Sequence, residues 1–313
     1  MVFCNENRIK TFWLKYGLGE ILLMAASPAQ TATEFSLRSM TLADVPAAYG
    51  LTQQLGWPYT EKDWAFHLSQ GRGWVVTDSA GAIIGTTLLW FYGDTAGTLG
   101  LVIVDEVFRG KGVGRALMEH TLEEAGDRKI WLVATEMAVK LYQELGFTSL
   151  NTIEQRQGIL AAGKPLPSHN ESIVRAARED DYDSIRALDR KAARMDRSRL
   201  IDSLLTSSSS YVLEKEGRVI GSVLVRESGR GKVFGPLITS NQADAKLLLS
   251  HALSEHPGFC RIDVPEDAGA LGHWLDQNGL PVIDRGTLMQ NSDKEFLRTS
   301  GYRVFSLISQ GLK

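Results

Sequence analysis

The chain of 313 residues is predicted to be an α/β protein of the α+β kind, built as two tandem copies of one domain. Two observations predict this. From Phe35 onward, short apolar β-like runs alternate with amphipathic helical stretches. In addition, pairs of landmarks recur at a nearly constant separation. "LRSMTLAD" (Leu37 to Asp44) and "VRAAREDD" (Val174 to Asp181) each set an arginine six residues ahead of an aspartate, and the two arginines lie 137 residues apart. "GAIIG" (Gly81 to Gly85) and "GRVIG" (Gly217 to Gly221) follow the apolar runs "WVV" and "YVL" at a separation of 136. "LGF" (Leu145 to Phe147) and "NGL" (Asn278 to Leu280) each close a helix with a glycine, 133 apart. The boundary between copies is expected in "QGILAAGKPLPSHN", rich in glycine, proline and small residues. The expected division is an N-terminal extension over 1–34, a first domain over 35–157, a linker over 158–170 and a second domain over 171–313.

Composition narrows the classes of function. A net charge of −3 offers no bulk attraction to nucleic acid or to an anionic membrane, so neither is expected as a partner. Cys4 and Cys260 are too few and too distant for a disulfide framework or zinc cluster, and the histidines show no ligand spacing. No metal is expected, and the composition is that of a soluble, cytoplasmic protein. "KYGLGEILLMAASPAQTA" has the outline of a signal peptide, with cations upstream and small residues after a short apolar run. Glu20 interrupts that run, and it falls short of the roughly 20 apolar residues of a membrane span. The segment is expected to be a disordered extension, with Met24 a second candidate start.

Along the first copy, "GTLGLVIVDE" reads as a strand so apolar that both its faces should be covered. "RGKGVGR" follows, three glycines and three cations between Arg109 and Arg115. In the helix after it, Val113, Leu117, Met118 and Ala125 share one face, with Arg115, Glu119 and Glu123 on the other. A strand, a glycine-rich turn and a helix N-terminus make an anion site, because bare backbone lets N–H groups converge on phosphate oxygens. The spacing lacks both the GK[ST] ending of a P-loop and the G-x-G-x-x-G of a dinucleotide-binding turn.

"RGKGVGRAL" resembles the R/Q-x-x-G-x-G/A signature of the GNAT acetyltransferases, whose loop grips the pyrophosphate of coenzyme A. "KIWLVATEMAVKLYQELGF" is similar to the next strand and helix of that family, with Ala138, Leu141, Tyr142, Gly146 and Phe147 matching its A-x-x-LY-x-x-x-GF pattern. The resemblance covers roughly Phe35 to Gln155 and implies a mixed, mostly antiparallel sheet flanked by helices. It implies acetyl-CoA as cofactor. Leu101, Val102, Ile103 and Val104 would pair with the pantetheine arm, and Arg109, Gly110, Lys111, Gly112, Val113, Gly114 and Arg115 would hold the pyrophosphate. Tyr142 would face the thiol. Glu106 replaces the family's usual proline, and Thr135 stands where an asparagine often contacts the cofactor.

Acyl transfer to an amine needs an acid for the departing thiolate, and Tyr142 is the matching position. Backbone amides at Leu101 and Val102 are placed to polarise the thioester carbonyl. No motif assigns the base; Asp94, Thr98 and a water relay are the options. For the acceptor, Trp57, Tyr59, Asp63 and Trp64 in "LGWPYTEKDWAFHL" and Trp90, Tyr92 and Asp94 in "LLWFYGD" offer aromatic and carboxylate contacts suited to a small amine, with Trp57, Tyr59, Trp90 and Asp94 preferred. The second copy carries "QADAKLLLSH" where the glycine turn should recur and Leu275 where the tyrosine should, so it is expected to be degenerate. The reading is an N-acetyltransferase for small-molecule amines, able to form a homodimer; the alternative is a CoA-sensing protein without turnover.

Overall fold

The computed structural model describes residues 10–16, 20–26, 34–163, 165–167, 171–291 and 301–313. β1 (Lys10–Tyr16) and β2 (Glu20–Ala26) form an antiparallel hairpin, and β2 pairs with β3 (Glu34–Ser39). Disorder was the expectation there. The runs "KTFWLKY" and "EILLMAA" instead have the aromatic and aliphatic content that strands favour. The rest of the extension lies outside the described residues.

The first copy continues with α1 (Val45–Gln54), α2 (Glu61–Ser69), β4 (Arg72–Thr77), β5 (Ile83–Tyr92), β6 (Ala96–Val104), α3 (Val113–Ala125), β7 (Lys129–Ala134), α4 (Val139–Glu144) and β8 (Thr148–Leu160). The second copy repeats the order from β3: β9 (Ser172–Ala176), α5 (Tyr182–Ala193), α6 (Ser198–Ser207), β10 (Ser209–Lys215), β11 (Arg218–Ser228), β12 (Gly231–Thr239), α7 (Gln242–Glu255), β13 (Gly258–Pro265), α8 (Ala270–Gln277) and β14 (Val282–Gln290). A short β15 (Arg303–Ser306) adds to β12.

Each landmark has a physical cause. Arg38 grips Asp44 with two hydrogen bonds of 2.8 Å, while Asp44 accepts from the Thr41 backbone N–H ahead of α1. The guanidinium is the main reason that the Asp44 carboxyl titrates low, at about 2. Arg175 holds Asp181 in the same way, at 2.6 and 2.9 Å, and Asp181 accepts from the Arg178 N–H ahead of α5. The paired glycines are contact points between helix and strand. A Cβ on Gly85 would press on Val113 and Leu117 of α3, and one on Gly221 on Leu248 of α7.

Packing divides the chain into two compact units that ignore the boundary expected at 157–170. One ends at Leu89 and resumes over Leu101–Gly126; the other takes Trp90–Gly100 and Asp127–Lys313. In the first, β1, β2, β3, β4 and β5 pair in sequence, all antiparallel, and Phe35, Leu37, Trp64, Val75, Leu88 and Leu117 are buried.

The second unit explains the division. Its strands run β7-β14-β8-β13-β12-β11-β10-β9. The last strand of each copy has thus crossed to the other: β14 lies antiparallel to β7, and β8 antiparallel to β13 from Ile153–Pro265 to Leu160–Gly258. Residues 158–160, expected in the linker, belong to this ladder. Arg156 on β8, nearly fully buried, bonds Glu154 and Asp276 of α8 at 2.6 Å each, fixing the crossed strand. Beneath it lies a core that includes Phe234, Leu248, Ile262 and Leu271.

A chain ended after Leu160 therefore keeps the β6–β7 pairing but loses β14 from β7, and both β13 and β14 from β8. Exposed edges and apolar faces promote aggregation. The fragment is expected to aggregate or to lack a cooperative melt. A monomeric fragment with a sharp unfolding transition would contradict this.

Candidate active site

β6 was expected to be covered on both faces, and only Ala96–Leu99 is. From Gly100 onward, partly exposed residues alternate with buried ones. The change coincides with Leu101, a non-glycine residue in the left-handed region (φ 51°), a costly conformation for a branched side chain. The Leu101 carbonyl accepts from the buried Thr86 hydroxyl at 2.8 Å, which fixes the distortion. No motif announces this bend in the sequence. It leaves Val102 and Val104 partly exposed while Leu101 and Ile103 stay in the core.

The Asp105 side chain then caps a short 3-10 turn over Glu106–Phe108, and the glycine turn follows. Gly110 (φ 74°) and Gly112 (φ 86°) both adopt the left-handed region with open space where a side chain would stand. Gly112 is the N-cap of α3, so no side chain closes that helix end, and the first turn holds no acidic residue. Arg109 reaches back to the Val104 carbonyl at 3.3 Å, Lys111 lies 5.0 Å from the Phe108 ring, and Arg115 is 4.0 Å from Glu119. Val113 is buried beneath, while Gly114 and Arg115 are partly exposed. The result is a cationic turn whose backbone donors are free of side-chain caps, the character that a pyrophosphate requires.

The second copy lacks that character. Asn241 caps α7 by accepting from the Asp244 N–H at 3.0 Å, and Asp244 puts a carboxylate in the first turn. Leu275, at the tyrosine's counterpart, is fully buried.

In the second unit, Tyr142 sits on α4 with 5 % of its surface exposed, its ring 6.0 Å from Phe147. Burial pushes its phenol well above the usual range, so it holds its proton at neutral pH. Thr135 is exposed, at the N-cap of the turn over Glu136–Ala138.

The acceptor candidates separate sharply. Trp57 and Tyr59 come together in the first unit, rings 6.4 Å apart and both partly exposed, with His67 5.6 Å from Tyr59. Asp63 is not a substrate carboxylate here: it forms the capping box of α2 with Thr60. Trp64 is fully buried and donates to Thr52. Trp90, a preferred candidate, is also core, 1 % exposed with its ring packed on Gly100. Tyr92 is buried against Thr98 and the Leu312 carbonyl. Asp94 is exposed, 3.9 Å from Arg128. Aromatic content alone does not distinguish wall from core, which is why sequence placed Trp90 and Trp64 on a ligand. Among the described residues no cluster of His, Cys, Asp and Glu could hold a metal, and no helix is long and apolar enough to cross a membrane.

A bent apolar strand and a bare cationic turn at a helix start, in an architecture whose order occurs twice, are the features that the acetyltransferase resemblance implies. Comparison with known proteins agrees. Acetyltransferase (GNAT) domain families match residues 69–149 and 185–303. An uncharacterized N-acetyltransferase of Bacillus subtilis, YitH, is 26 % identical over 266 residues, which cover 84 % of this chain and 93 % of that one. The [ribosomal protein bS18]-alanine N-acetyltransferase of Escherichia coli is 32 % identical over 122 residues, 36 % of this chain and 80 % of that enzyme. In fold, the chain is similar to a putative acetyltransferase from Pyrococcus horikoshii (TM-score 0.71, 16 % identity, 89 % of this chain and 96 % of that). It is also similar to a tandem GNAT protein of the clavulanic acid pathway (TM-score 0.60, 14 % identity, 83 % and 100 %). The chain belongs to the GNAT N-acetyltransferase family.

Proposed function

We propose that the protein transfers the acetyl group of acetyl-CoA to a primary amine, with its single cofactor site in the first copy. The observation that carries this is the N-terminus of α3, which has neither a side-chain cap nor an acidic first turn. Arg109, Lys111 and Arg115 surround it with positive charge, while α7 is capped and acidic at the same point. The turn would hold the pyrophosphate, with Leu101–Val104 along the pantetheine arm and Thr135 as a further contact.

Bound acetyl-CoA would supply a thioester: a neutral amine nitrogen would bond to the carbonyl carbon as the C–S bond breaks, giving an amide and a thiolate, with the proton that nitrogen loses passing to water. Tyr142 supplies the proton that the thiolate takes up, a role its protonated state suits. The N–H groups of Leu101 and Val102 orient the carbonyl. Trp57 and Tyr59 favour a cationic amine through their ring faces, and Asp94 adds a carboxylate. A small molecule is the preferred acceptor. A protein α-amine is the second reading, because the Escherichia coli relative is named for alanine of a ribosomal protein.

Thiol release from acetyl-CoA, measured against small amines and an alanine-initiated peptide, tests both. Turnover with a small amine supports the preferred reading, and turnover with the peptide alone transfers the proposal to a protein acceptor. Tight acetyl-CoA binding without turnover on any amine would leave a CoA sensor and overturn the catalytic reading.

A further inference from the structure

β12 and β13 pair in parallel at Lys232↔Cys260 and Val233↔Arg261 and then part, although β12 runs on to Thr239 and β13 to Pro265. In the first copy, the β6–β7 ladder likewise ends at Thr98↔Trp131. Gly100 and Gly235 match at a separation of 135. On that alignment Leu237–Thr239 are the counterparts of Val102–Val104, the stretch expected along the pantetheine arm.

In the second copy that strand edge is taken by the chain itself. β15 pairs antiparallel with β12 at Leu237↔Ser306, Ile238↔Val304 and Thr239↔Arg303. The Ser306 hydroxyl donates to the Phe234 carbonyl at 2.8 Å. From the other wall, the Asp263 carbonyl of β13 accepts from the Leu307 N–H at 2.9 Å. Phe305, Leu307, Ile308 and Leu312 are buried. Leu307 passes so close over Gly235 that a Cβ there would collide with its carbonyl.

The segment then meets the matching glycine of the first copy. Gly311 Cα would lie 3.2 Å from a Cβ on Gly100, and the Leu312 carbonyl accepts from the Tyr92 hydroxyl at 3.0 Å. The Lys313 carbonyl accepts from Arg197, itself held by Asp189 at 2.6 Å. Gly100 directly precedes Leu101, where β6 bends. Buried backbone groups need partners, and an added strand satisfies a groove edge as an extended ligand would.

We propose that residues 303–313 are a tethered occupant of the second copy's groove, and that from there they hold the foot of β6 at Gly100. The occupant stands where the first copy would take the pantetheine arm, a correspondence that rests on the acetyl-transfer reading. The degenerate copy thereby acts as an anchor for a positioning segment of the first. Glycine recurs at 100 and 235 because the same backbone crosses closely over both.

Amide hydrogen exchange on the full chain tests the occupancy without any turnover. Residues 303–308 should exchange slowly in the wild type. Gly235→Ala should expel Leu307 and speed that exchange at least about tenfold, while the β8–β13 ladder stays protected. Tyr92→Phe keeps the ring and removes the donor to Leu312, so it should speed residues 309–313 in a second, milder background. If Gly235→Ala loses the β8–β13 protection as well, Tyr92→Phe decides. Each folded variant should also lower kcat by about tenfold with acetyl-CoA Kd unchanged, a split that general loosening of the core would not produce. Fast exchange of 303–308 in the wild type, or unchanged exchange in both variants, would overturn the occupancy. A released segment with wild-type kcat would overturn its hold on β6. Absence of turnover in the wild type would instead strike the acetyl-transfer reading, and the exchange rates alone would decide the occupancy.

Discussion

Replacing Tyr142 by phenylalanine is expected to lower kcat by about 10²–10⁴-fold while leaving acetyl-CoA affinity nearly unchanged. The substitution keeps the ring, and with it the packing against Phe147 on which the end of α4 rests. Only the hydroxyl is lost. Burial raises the phenol's pKa, so the wild-type group stays protonated across the neutral range and can act as an acid rather than a base. Steady-state kinetics in parallel with equilibrium binding check this. Full kcat in the phenylalanine variant would remove Tyr142 from proton transfer.

The second large effect concerns the turn. The wild-type chain should bind one acetyl-CoA, and Gly112→Asp should weaken that binding at least about tenfold, equivalent to 1.4 kcal/mol. The backbone of Gly112 is left-handed, with room for a side chain, so the substituted residue meets conformational cost rather than collision. Asparagine has nearly the same shape and tolerates that region equally well. Gly112→Asn should therefore retain more affinity than Gly112→Asp, and the difference between them isolates the charge. Equal, wild-type affinity in both folded variants would rule out the turn as the pyrophosphate site, and two molecules bound per chain would give the second copy a site of its own.

The parts that were legible from sequence are those where one residue type solves one local problem. Arg38 with Asp44, Arg175 with Asp181, and the glycines at 85 and 221 recur because each copy must start a helix and seat another on its sheet in the same way. The cationic turn was legible for the same reason: its glycines answer a backbone requirement. Long-range choices were not. Nothing in "TSLNTIEQRQGIL" states that it will pair with Gly258–Pro265 rather than with the nearer β7, because both ladders satisfy the same alternation of side chains. The left-handed Leu101 was equally silent, since glycine or asparagine is the usual sign of that conformation and leucine is not. The burial of the Trp90 indole depends on Gly100, which faces the ring without a side chain, a pairing visible only once the hairpin is closed.

The exchanged strands also impose an order on biosynthesis. Ala134 of β7 finds its partner in Thr287, so a nascent chain must add about 150 residues before that ladder can close, a high contact order. At ribosomal rates of about 5–20 residues per second, β7 waits on the order of ten seconds with one edge unsatisfied. During that interval any strand that resembles β14, including the nearby β8 of its own copy, competes for the edge. Slower translation of the second copy should therefore lower the yield of native protein more than equal slowing within the first copy.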